Sequence, residues 1–119
     1  MNEDELIEHE FLSIALKRSE FLRQRKSKEA NEEYDRLHEV KDTMRQLPDR
    51  GEAALKRVLA ATDDLDVQIL AAAALLAIDE HYASSCLERI HKCHAGIPSF
   101  TAEMVLREWR SGAIREYWS

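Results

Sequence analysis

Residues 53–78, AALKRVLAATDDLDVQILAAAALLAI, decide the fold: two helical stretches flank a short acidic turn, and the second carries alanine on nearly every side. Methyl side chains keep a helix slim and lose little rotamer freedom, so neighbours can approach it closely from several directions. Such a helix belongs in the middle of a stack. The stretch therefore predicts an all-α bundle or solenoid, an architecture that more often presents surfaces to partners than breaks bonds.

The rest of the composition agrees. Only 3 Gly and 2 Pro occur in 119 residues, too few turn-formers for many short strands, and no run alternates apolar with polar residues. One domain spanning residues 1–119 is expected, with about six helices: a long N-terminal helical hairpin followed by HEAT-like antiparallel helix pairs. The net charge of −6, from 23 acidic and 17 basic residues, repels a phosphate backbone and favours a protein partner with a basic surface over nucleic acid. The opening MNEDELIEHE is acidic where a secretion signal would be basic and then apolar, and the longest apolar run, 69–78, is too short to span a bilayer. A chain starting at Met1 and residing in a reducing cytoplasm is expected, with Cys86 and Cys93 unpaired.

Helix by helix, apolar periodicity places Ile7, Phe11, Ile14, Ala15, Phe21 and Leu22 on the inward stripe of a first helix over 3–26. Its opening turns are acidic and its last turn basic, the order the helix dipole favours. Ser27 is expected to cap a second helix in which Ala30, Tyr34, Leu37, Val40, Met44 and Leu47 recur every three or four residues. That spacing also permits a dimeric coiled coil, but it lacks systematic flanking charge pairs, so packing within the chain is favoured and a monomer or weak homodimer is expected. Pro48 closes this helix, and Asp49-Arg50-Gly51-Glu52 resembles a capping box opening a third over 52–61 with Leu55, Val58 and Leu59 inward. One of Asp63, Asp64 and Asp66 should cap a fourth, with Val67, Leu70, Ala71, Ala74, Leu75 and Ile78 buried. A fifth over 80–94 buries Ala83, Cys86, Leu87, Ile90 and Cys93, and exits at Gly96 and Pro98. The sixth starts near Ser99, turns Ala102, Val105, Leu106 and Trp109 inward and ends at Gly112; Ile114, Tyr117 and Trp118 are expected to fold back on the body.

TDDLDVQILAAAALLAI, at 62–78, resembles a HEAT-like repeat, where an aspartate-containing turn precedes a V-[RQ]-x-x-[AL]-A-x-A-L helix. Gln68 stands where that repeat usually carries arginine, which removes the cation that ties such turns together. More widely, Ala30-Asn31, Tyr34-Asp35-Arg36-Leu37, the alanine-rich repeat, and Ala102-Glu103-Met104 with Leu106, Trp109 and Gly112 resemble a bacterial family catalogued as domain of unknown function two thousand and nineteen. The likeness covers about residues 11–114. It implies a short, helical, HEAT-like protein similar to some encoded beside polymorphic toxins, hence an immunity role, and it brings no catalytic residue.

Bond chemistry finds little support. His81, Cys86, His91, Cys93 and His94 are clustered, but HKCH on one helix splays its side chains around the axis, whereas structural zinc needs four convergent ligands. His9-Glu10 lacks the second histidine of H-E-x-x-H, since Ser13 stands there, and Asp63, Asp64 and Asp66 lack the remainder of a calcium loop. Neither a metal, a cofactor nor an enzymatic activity is expected. The expected function is direct binding of a protein, most concretely neutralisation of a cognate bacterial toxin; the alternative is a regulatory or scaffold protein with a peptide groove. A negative face for the toxin would come from Glu3, Asp4, Glu5, Glu8, Asp63, Asp64, Asp66, Asp79 and Glu80, and anchors from Tyr82, Trp109, Arg110 and Trp118, each aromatic having core packing as its competing role.

Overall fold

Six helices and the turns between them account for residues 2–113, which the structure, a computed structural model, describes. They are α1 (Glu3–Arg23), α2 (Ser27–Arg45), α3 (Glu52–Ala61), α4 (Leu65–Leu75), α5 (Glu80–Cys93) and α6 (Ile97–Ser111), and no strand occurs among the described residues. The expected tail contacts of Ile114, Tyr117 and Trp118 lie outside those residues.

Local chemistry sets the boundaries. Asn2 caps α1 by accepting from the Glu5 N–H at 2.8 Å, and the acidic first turn of α1 suits the helix dipole. At its other end Lys26 N–H donates to the Phe21 carbonyl at 2.8 Å and Arg25 N–H to that of Leu22 at 3.1 Å, a Schellman ending with Arg25 left-handed at φ 59. This ending stops α1 at Arg23, three residues short of the expected limit, and makes Lys26, not Ser27, the cap position of α2. Before α3 the Asp49 carboxylate accepts from the N–H groups of Gly51 and Ala53, so the cap works from two residues ahead of the left-handed Gly51. Asp64 caps α4 through the Val67 N–H and Asp79 caps α5 through that of Tyr82, both at 3.2 Å. The sixth helix starts at Ile97 rather than Ser99. Pro98 falls in its first turn, where a missing N–H removes no helical bond, so Gly96 and Pro98 open α6 instead of ending α5.

Packing converges on α4. It meets α1, α3, α5 and α6, and Val67, Ile69 and Ala71 to Leu76 are buried around its circumference. The hairpin of α1 and α2 joins the stack through α1, since α2 packs against no other helix. Burial of Ile7, Phe11, Ala15, Leu37, Val40, Met44, Leu55, Val58, Ala83, Leu87, Ile90, Ala102 and Leu106 follows the expected periodicity. Some positions depart from it. Leu22 is exposed and Ser19 takes the buried place, because steps of four from Ile7 run through Phe11 and Ala15 to Ser19. Cys93 is exposed at the last position of α5, and only Cys86 joins the core.

Two substitutions test this account. Ala72→Leu places a bulky side chain at a fully buried contact of the central helix and should lower unfolding stability by about 1–3 kcal/mol in urea titration. Gly51→Ala should also destabilise, since its φ is +89 and an added Cβ would lie 2.9 Å from the Met44 Cβ.

Candidate functional site

Because α6 rests on α4 and α5 without touching α1 or α2, a groove remains between α6 and the hairpin, floored by α4. Its wider chamber, about 480 Å³, is walled by Leu22, Leu65, Ile69, Ile97 and Pro98, with Ser19, Arg23, Asp64, Asp66 and Thr101 supplying polar groups. A narrower chamber of about 310 Å³ shares Asp66, Ile69 and Thr101 with it and adds Arg18, Asn31, Tyr34, Leu70, Ala73 and Val105. The mouth is strongly apolar. Ile97 is 81% exposed, Phe100, one turn along α6, 63%, and Leu22 across the groove 42%.

A charge network crosses the floor. Arg18 donates to Asp66 at 2.8 Å, while Asp64 accepts from Ser19 at 2.8 Å and from Arg23 at 3.2 Å. Burial opposes the charge on Asp64, yet hydrogen bonds from Ser19, the Val67 N–H and Arg23 hold its carboxyl below the ordinary range. Asp66 behaves oppositely: its deeper burial raises its carboxyl above the ordinary range against the pull of Arg18. Gln68 donates to the Thr62 carbonyl at 2.7 Å. The turn thus has its cations after all, supplied by α1 rather than by position 68.

The expected acidic face is divided and partly engaged. Glu3, Asp4, Glu5 and Glu8 lie toward the opposite end of α1 from Ser19, where it meets the 62–66 turn, about 17–24 Å away along the helix. Glu8 pairs with Arg57 of α3. Asp79 accepts from Lys56 at 2.9 Å, which holds its carboxyl below the ordinary range, and the same ammonium lies 4.6 Å from the Tyr82 ring. Glu3, Glu5, Asp63 and Glu80 are exposed and carry no ion pair among the described residues. Arg110 pairs with Glu88 at 2.5 Å, and Trp109 is half-buried against the core. Trp118 lies outside the described residues. None of the expected anchors lines the groove.

One buried charge escaped the sequence reading. Lys41 of α2 is 3% exposed, and its ammonium stands 5.6 Å from the Tyr34 ring, whose centroid is also 5.2 Å from the Arg18 guanidinium. Burial, then the nearby Arg18 and Arg45, push its ammonium down to about 8. A signal was available: Lys41 lies four residues after Leu37 and three before Met44, on the inward stripe.

Among the described residues no group of His, Cys, Asp and Glu gathers closely enough to hold a metal ion, and no helix is long and apolar enough to cross a membrane. His91 contacts Ser99 through Nδ1, while Cys93 and His94 are exposed. Compared with protein-family models, with curated proteins and with solved structures, the chain matches none.

The buried lysine gives a pH-dependent test. The folded chain holds this proton less tightly than the unfolded chain, so the cost is fully present below about pH 8 and fades as pH rises toward 10.5. Lys41→Met should stabilise the fold by about 1–3 kcal/mol at pH 7. In denaturant titrations that gain should shrink as the pH is raised from 8 to 10.

Proposed function

We propose that the chain is a protein-binding module and, in its most concrete form, an immunity protein that neutralises a cognate bacterial toxin by direct binding. The supporting observation is the groove mouth, where Leu22 of α1 and Ile97 of α6 hold exposed apolar surface on facing walls of a preformed cleft and Phe100 extends that surface one turn along α6. Burying side chains of this size contributes about 1.5–3 kcal/mol each, enough for two or three of them to dominate an interface. They are borne on helices already packed against α4, so little ordering would be needed on association.

Charge has a secondary part in this reading. With a net charge of −6 and with Glu3, Glu5, Asp63 and Glu80 free of ion pairs among the described residues, the surface draws in a basic partner at long range. Asp64, Asp66, Asp79 and Glu8 contribute less, because each already faces a cation. The HEAT-like likeness and the family resemblance supply the toxin as partner, and the apolar mouth supplies the means of holding it.

Co-expression with the product of a neighbouring toxin-sized gene tests the role. Rescue of growth is expected, and the Ile97→Asp, Phe100→Asp double variant should abolish it, with affinity reduced about 100-fold or more by calorimetry. Both side chains are exposed, so thermal unfolding should be nearly unchanged. No rescue by the parent chain overturns immunity; full rescue by the double variant overturns the groove as its instrument.

A further inference from the structure

We infer that His91 is a proton-operated latch on the groove wall: on gaining a second proton its ring ties the opening turns of α6, which carry Ile97 and Phe100, to the end of α5. The latch is a property of the chain itself, whatever the groove binds. It follows from donors and acceptors. Because α5 ends at Cys93, the His91 carbonyl is among the last four, which find no partner within a helix. The Ser99 hydroxyl of α6 fills that vacancy by donating to it at 2.8 Å. With its hydrogen so placed, Ser99 Oγ can only accept from His91 Nδ1, 3.1 Å away, and the Ser99 carbonyl, 3.2 Å from the same nitrogen, is an acceptor in any case. The neutral ring therefore carries its one hydrogen on Nδ1, and Nε2 is the nitrogen that gains or loses a proton.

Nε2 faces Glu103 Oε2 at 3.7 Å, while the other oxygen of that carboxylate is taken by Arg107, one turn along α6. In the neutral ring Nε2 turns a lone pair toward a negative oxygen, and nothing holds the two together. Protonation makes the same pair a charge-assisted contact, so that His91 grips α6 at Ser99 and again at Glu103. Ile97 and Phe100 sit on the turns held in this way. The other charges beside the ring are already engaged. Glu88 of α5 pairs with Arg110 of α6 at 2.5 Å and with Lys92 at 3.6 Å, and Arg107 is held by Glu103. On α4, the other helix packed against α5, the one ionisable side chain is Asp66, which Arg18 holds. His94 is exposed beyond the helix end. A positive charge on His91 also suits the last turn of α5, where the helix dipole is negative.

Two measurements on the full chain test this. In long-range proton–nitrogen spectra at about pH 8, with the ring signals assigned through the His91→Asn variant, His91 should show the Nδ1–H tautomer; the Nε2–H tautomer overturns the inference. Amide hydrogen exchange at Phe100, Thr101 and Glu103, corrected for the intrinsic effect of pH, should slow about two- to fivefold from about pH 8 to pH 5, the modest gain of a part-exposed pair. The sign follows from linkage, since the added contact exists only with the proton bound and is lost as pH rises. Glu103→Ala, at a part-exposed helical position, should keep the tautomer and remove the slowing, whereas any contribution from Asp66 would survive in that variant. Exchange that does not change with pH, or slowing that persists in Glu103→Ala, overturns the latch.

Discussion

A helix thin on every side is the constraint on which the rest of the structure depends. Four helices reach α4 because Ala71, Ala72, Ala73 and Ala74 put only methyl groups between backbones. The same property creates the site. Helices that each rest on a shared slim neighbour need not touch one another, and α6 and the α1–α2 hairpin do not, so the space between them stays open above Ile69 and Ala73. A leucine-rich α4 would hold its neighbours further apart and bring bulkier side chains to the groove floor. Fold and groove therefore share one cause in the sequence.

Charge organises the layer around that core. The acidic turn before α4 caps the helix through Asp64 and takes its cations from α1, so it fastens the hairpin to the central helix as well as starting it. Asp79 does the same between α3 and α5 by accepting from Lys56 while capping α5. Acidic residues at helix starts, read from composition alone as a face for a partner, serve mainly as joints. What they leave for long-range attraction is the exposed remainder and the overall charge.

Periodicity made the helices and most of the core legible, because a residue three or four places from two buried neighbours has little freedom in where it points. The groove was not legible. Spacing from Phe11 and Ile14 points Leu22 inward, but the stripe drifts over five turns and Ser19 ends up facing the start of α4 instead. Reading Gly96 and Pro98 as an exit leaves Ile97 outside any helix; with Pro98 in the first turn of α6, Ile97 and Phe100 fall on its exposed side. The absence of arginine at 68 was seen, but its replacement by Arg18 and Arg23 depends on how α1 crosses α4, which no local pattern encodes.

Lys41 differs from these, since its position on the inward stripe of α2 was visible and its burial follows from the neighbours at 37 and 44. Its setting also says where the molecule is least stable. The second helix packs on α1 alone, and its inner face carries a buried cation between Arg18 and Arg45. A helix with one neighbour and a repulsive charge at that interface opens at a lower free energy than the four-sided α4.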